Sequence, residues 1–117
     1  MSKAHCPFYD AVLGAVGYVR GPLDGGWAFY GKGDAPGVGI CKPHDGQPAR
    51  GGNGIMIAFK ADSHDQVKAA YAAALANEGT DEGAPGFRPP EADSGFYGAY
   101  VRDAAGNKLC IYDAPAT

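Results

Sequence analysis

The groups in this chain best suited to nucleophilic or metal chemistry are three thiols and three imidazoles. Cys6, Cys41 and Cys110 are an odd number and form no Cys-x-x-Cys pair, so the sequence predicts free thiols in a reducing compartment. His5 lies near the N-terminus, His44 beside Pro43 and His64 where a helix is predicted to begin. Their spacing matches no metal motif, and each is expected to be solvated. Cys110 has Lys108 two residues away, on the same face of a predicted strand. A cation there can lower a thiol's pKa and make it nucleophilic, and the competing expectation is a buried, inert thiol. No Gly-x-Ser-x-Gly elbow, phosphate-cradling glycine loop or His-Glu-x-x-His is present.

Cys110 belongs to the most informative stretch, residues 95–113. Residues 96–102 and 108–112 are rich in aromatic and β-branched types and flank Asp103-Ala104-Ala105-Gly106-Asn107, which predicts a β-hairpin. Alternation puts Phe96, Gly98, Tyr100 and Arg102 on one face and Tyr97, Ala99 and Val101 on the other. On the returning strand Lys108, Cys110 and Tyr112 oppose Leu109 and Ile111.

Earlier elements follow the same logic. A helix is predicted from Pro7 to about Val16, with Phe8, Ala11, Val12 and Ala15 buried and Gly17 ending it. Short strands are expected over residues 18–20, 27–30 and 38–42, and residues 43–53 read as a loop. Residues 55–60 form a strand with Ile55, Ile57 and Phe59 on one face and Met56, Ala58 and Lys60 on the other. Ser63 caps a second helix, with Gln66 completing a capping box. Its buried stripe is Val67, Ala70, Tyr71, Ala74 and Leu75, and Gly79 ends it. Residues 81–89 are expected to be a loop.

The chain has 117 residues, 19 glycines and 9 prolines, a net charge of −3 and no basic run. One domain of short strands is expected, with no electrostatic footprint for nucleic acid or an anionic membrane. There is no apolar run of the roughly 20 residues that span a bilayer, and no signal peptide, which predicts a cytoplasmic protein.

The hairpin Tyr97-Gly98-Ala99-Tyr100-Val101-Arg102-Asp103 followed by Gly106-Asn107-Lys108-Leu109 resembles the closing hairpin of the vicinal oxygen chelate superfamily. That superfamily includes glyoxalases, bleomycin-binding and fosfomycin-resistance proteins and extradiol dioxygenases. Phe8-Tyr9-Asp10-Ala11-Val12-Leu13-Gly14, Gly54-Ile55-Met56-Ile57-Ala58-Phe59 and the stretch from Asp81 to Pro89 match it in the same order. The resemblance implies an α+β fold of paired β-α-β-β-β units, about residues 1–50 and 51–117, forming a curved mixed sheet. The first strand of the first unit has no counterpart in the six residues before Pro7. A sheet edge left unpaired there would be open to a second subunit, and a homodimer is expected.

Family members with a metal hold it on the concave face of the sheet, using His or Gln from the first strand of a unit and Glu from the last. Carried over by motif, the His of the central strand falls on Met56 and the final Glu on Cys110. Pseudo-symmetry puts Cys41 where Cys110 stands in the other unit. A thioether and neutral thiols suit magnesium, manganese or ferrous ion poorly, so no resident metal or other cofactor is expected. Met56, Tyr100, Cys110, Cys41 and Tyr112 are the candidate lining of a small-molecule site, with Arg88 as a positive contact at its mouth. The resemblance thus implies a metal-free protein binding a small organic molecule. The alternative is an active metal-dependent lyase of the lactoylglutathione lyase type, an isomerase or a dioxygenase, with divalent-metal ligands at other positions.

Overall fold

In a computed structural model, which describes residues 5–23 and 25–115, two helices and seven strands follow one another in an α+β arrangement. Expectations placed on residues 1–4, and on the side chains of His5 and Cys6, fall outside the described residues. Helix α1 (His5–Ala15) leads to β1 (Val19–Arg20), β2 (Ala28–Gly31) and β3 (Val38–Ile40), an antiparallel sheet in that order. Then come β4 (Ile57–Lys60), α2 (His64–Ala76), β5 (Thr80–Phe87), β6 (Tyr97–Arg102) and β7 (Lys108–Asp113). The second sheet has the order β4-β7-β6-β5, with β4 parallel to β7 and the other pairs antiparallel. Among the described residues β1-β2-β3 repeats β5-β6-β7, and no strand beside β3 corresponds to β4.

The helices pack on each other, and α2 also lies across β5, β6 and β7. Phe8, Tyr9, Val12, Leu13 and Val16 are buried, a wider stripe than helical spacing alone indicates, because α1 meets both α2 and the sheets. On α2, Val67, Ala70 and Ala74 are buried, whereas Leu75 is exposed. The Ser63 hydroxyl accepts from the Gln66 amide as expected, at 3.1 Å. The Gln66 side chain reaches one residue further back, to the amide of Asp62 at 2.7 Å. Gly79 ends the helix by donating to the Ala74 carbonyl at 2.8 Å. A Cβ at Gly79 would lie 2.6 Å from that carbonyl oxygen and 2.8 Å from the Phe8 ring, so the close approach of the two helices requires glycine.

Residues 81–89 are a strand for most of their length, not the predicted loop. Their Asp, Gly and Pro content argues against a strand, yet β5 pairs with β6 through two register shifts. It lies at the sheet edge, where bulges and a proline without an N–H are tolerated. The strands predicted at 27–30, 38–42 and 55–60 are shorter or shifted, being Ala28–Gly31, Val38–Ile40 and Ile57–Lys60.

The hairpin forms in the register its alternation requires, with Tyr100 opposite Cys110 and Gly98 opposite Tyr112. Its loop is tied down by Gly51, whose amide donates to the Ala105 carbonyl at 3.0 Å. A Cβ at Gly51 would lie 1.8 Å from the Gly106 carbonyl oxygen, so Gly51→Ala must push two backbones apart. It is expected to cost about 2 kcal/mol, the scale of overpacking at a close contact, read as a lowered urea midpoint.

Candidate functional site

On β6 and β7 one set of side chains, Tyr97, Ala99, Val101, Leu109 and Ile111, is buried in the core with the helices. Alternation sends Gly98, Tyr100, Lys108, Cys110 and Tyr112 to the other side of the sheet. Cys110 is nonetheless only 2% exposed there. It sits in register with Tyr100 on one side and Ala58 on the other.

Two cations bracket Tyr100. The Arg88 guanidinium lies 5.4 Å from the ring centroid and the Lys108 ammonium 5.7 Å from it. Arg88 is anchored by donating to the carbonyls of Ala84 at 2.9 Å and Phe87 at 3.1 Å. Gly83 and Gly86 leave it room, since a Cβ at either would come within 3.3 Å or less of its nitrogens. Neither Arg88 nor Lys108 makes an ion pair with a carboxylate among the described residues, whereas neighbouring Arg102 is bound to Glu82 at 3.0 Å. Beside this group Phe96 and Tyr112 stack at 5.3 Å with 10° between their planes. Phe96 lies over Gly98, where a Cβ would meet its ring at 2.6 Å. The result is an aromatic surface carrying two cations without acidic partners among the described residues.

Burial pushes the Cys110 thiol up from its ordinary value, and Tyr100, Arg88 and Lys108 offset this only in part. Burial likewise raises the Tyr100 hydroxyl, with Cys110 adding to the effect and Arg88 opposing it. The Lys108 effect expected for a nucleophilic thiol is therefore present but outweighed. Cys110 should resist a thiol-modifying reagent in the folded protein and react after denaturation, while exposed Cys41 reacts at once. Mass spectrometry of labelled peptides reads the difference, and rapid labelling of Cys110 would show that its burial does not control reactivity.

The other sequence-derived residues are placed differently. Met56 stands one residue before β4 and is 46% exposed, while the β4 residue level with Cys110 is Ala58. Cys41 follows β3, the edge strand of the first sheet, and shares a cavity with Lys108. It lines a cavity of about 380 Å³ that lies between the two sheets, with Val38 and Ile40 on one side and Ile57, Phe59 and Leu109 on the other. Tyr9 and Asp103 also border it, with the Tyr9 hydroxyl donating to the Asp103 carboxylate at 2.5 Å. A second hollow is bordered by Trp27, Cys41, Lys42 and His44. His64, expected to be solvated, stacks on Tyr97 at 3.9 Å with Phe87 against its edge, because β5 and β6 bring both rings to the start of α2. The positions of Phe96 and Lys108 on the Tyr100 face were visible in the alternation, but their partnership with Arg88 was not, since β5 was read as a loop.

The mapped positions do not suit a divalent metal. Cys110 is buried with a raised thiol pKa, Met56 is a thioether not level with it, and Cys41 follows a strand of the other sheet. Among the described residues no group of three or more His, Cys, Asp or Glu side chains is arranged to hold a metal ion. Nor is any helix long and apolar enough to cross a membrane.

A glyoxalase/bleomycin resistance protein from Albidiferax ferrireducens is 40% identical, with 98% of this chain and 91% of that chain covered and a TM-score of 0.86. The chain belongs to the glyoxalase/bleomycin resistance protein family. A glyoxalase-related enzyme from Fulvimarina pelagi is similar in structure at 16% identity, covering 98% of this chain and 81% of that one, with a TM-score of 0.73. The lactoylglutathione lyase of Agrobacterium tumefaciens is 22% identical over 94% of this chain and 82% of its own, with a TM-score of 0.58. These two share the glyoxalase-like fold. No protein-family model and no curated protein matches the chain.

Proposed function

We propose that this family member binds a small organic anion with an aromatic or apolar portion, without a resident metal, on the sheet face around Tyr100. The observation that carries the reading is the pair of cations, Arg88 and Lys108, held on one aromatic ring with no carboxylate partner among the described residues. Charge-assisted hydrogen bonds from two such groups fix a carboxylate or phosphate, while Phe96 and Tyr112 offer a stacked surface for the rest of the ligand. Cys110 is a buried part of its floor. A homodimer belongs to the same reading. Trp27 and Phe29 stack at 5.5 Å while remaining 43% and 50% exposed, an aromatic surface suited to cover by a second copy.

Calorimetric titration with aryl carboxylates and aryl phosphates, with and without a metal chelator, tests the proposal. Binding that survives chelation and weakens as salt is raised is the expected result. Binding or turnover that requires an added divalent ion would favour a metal-dependent lyase, isomerase or dioxygenase. That alternative draws support from the family's lyase-type fold neighbours and not from any donor set among the described residues.

A further inference from the structure

Of the three asparagines, Asn53, Asn77 and Asn107, only Asn53 is followed by glycine. That pairing favours attack on the asparagine by its own backbone. The next residue's nitrogen can reach the side-chain carbonyl carbon, and glycine has no Cβ to shield it. Asn53 and Gly54 both lie exposed in the loop before β4, and nothing stands within 4 Å of where a Gly54 Cβ would be. Among the described residues the Gly54 amide donates no hydrogen bond and the Asn53 side chain has no partner. Neither reacting group is held away from the other.

Competing positions are tied down. Asn77 donates its side-chain amide to the Ala73 carbonyl at 2.8 Å and precedes Glu78. Asn107 donates its side-chain amide to the Asp103 carboxylate at 3.0 Å and precedes Lys108, the first residue of β7. Asp45-Gly46 is a described pair of the related Asp-Gly type, but there the glycine amide donates to the Pro43 carbonyl at 3.1 Å. The Asp45 carboxylate in turn accepts from the Gln47 amide at 3.0 Å.

We propose that Asn53 is a site of spontaneous deamidation. The Gly54 nitrogen gives up its proton and bonds to the Asn53 side-chain carbonyl carbon. The bond from that carbon to the side-chain nitrogen breaks, and ammonia leaves carrying the proton. Water then opens the cyclic imide, its hydroxyl going to a carbonyl carbon and its remaining proton to the Gly54 nitrogen. Attack at the side-chain carbonyl gives aspartate, and attack at the main-chain carbonyl gives isoaspartate, in which the chain runs through the side chain. Both products add one negative charge to a chain whose net charge is −3. Isoaspartate also adds a methylene to the backbone between β4 and Gly51, whose amide clamps the β6–β7 loop at the Ala105 carbonyl. The isoaspartyl form therefore loosens the closing hairpin, and it accumulates with the age of the molecule.

The test is peptide mapping by mass spectrometry of the folded protein, held at mildly alkaline pH and sampled over days. Expected are conversion of the Asn53 amide to an acid while Asn77 and Asn107 keep theirs, and an isoaspartyl product that an isoaspartyl methyltransferase labels. Gly54→Ala should slow the conversion severalfold, because a Cβ crowds the attacking nitrogen. The isoaspartyl form, separated by chromatography, should unfold at a lower urea midpoint than Asn53→Asp, which carries the same charge without the added methylene. Three results overturn the proposal: Asn53 unchanged in the folded protein, equal conversion at all three asparagines, or an undiminished rate in Gly54→Ala. A urea midpoint equal to that of Asn53→Asp would overturn the loosening of the hairpin.

Discussion

Asp103→Ala is expected to lose about 3 kcal/mol of folding stability, because three donors converge on a carboxylate that is only 3% exposed. The Tyr9 hydroxyl donates to it at 2.5 Å, the Asn107 backbone amide at 2.8 Å and the Asn107 side-chain amide at 3.0 Å. Tyr9 is on α1 and Asp103 in the β6–β7 loop, so this contact ties the first helix to the closing hairpin. Alanine leaves a buried phenol without its acceptor and frees the loop that Gly51 also clamps. Urea unfolding measures the loss, and a change below about 0.5 kcal/mol would show that the network contributes little.

The same contact sets an alkaline limit. Burial first, and then Asp103, raise the Tyr9 phenol above its ordinary value. The folded protein therefore keeps a proton that the unfolded chain releases, so this contribution is full below the ordinary tyrosine pKa. It is lost as pH climbs from that value towards the higher folded one, at up to about 1.4 kcal/mol per pH unit. Urea midpoints compared between about pH 8 and about pH 11 should fall more steeply for the parent than for Tyr9→Phe, which has no proton to lose. Parallel slopes would place the alkaline sensitivity at other groups.

The second large effect is on binding. Lys108→Met is expected to weaken the organic anion about 10-fold, and Lys108→Met with Arg88→Met about 100-fold, since each removes one charge-assisted contact. Lys108→Met is the cleaner variant, because Arg88 also holds the carbonyls of Ala84 and Phe87 and its loss loosens the end of β5. An uncharged amide analogue of the ligand should bind parent and variants alike. Equal affinity for acid and amide in the parent would remove the anion from the proposal, whatever the aromatic surface contributes.

Local pattern carried far in some places and failed in others for identifiable reasons. The hairpin was legible because Tyr, Val, Leu and Ile alternate across it and Gly106 supplies the positive φ its loop needs. The start of α2 was legible because Ser63 and Gln66 lie within one turn of each other. β5 was not, because its residues are poor strand formers and only pairing with β6 makes them one. That misreading hid the site, since Arg88 reaches Tyr100 only because β5 brings it alongside. Cys110 and Lys108 were correctly placed on one face, but which of burial and positive charge governs the thiol depends on what covers it.

By itself the sequence determined the alternation of β6 and β7, the two helices and the absence of hard metal ligands at Met56 and Cys110, all of which follow from residue types at short range. Only the tertiary structure decided that Arg88 joins Lys108 on Tyr100, that Tyr9 reaches Asp103, and that a cavity bordered by Val38, Ile57 and Lys108 lies between the two sheets. Those outcomes rest on contacts between residues distant along the chain, whose distances are set by how helices and strands pack and not by their own propensities.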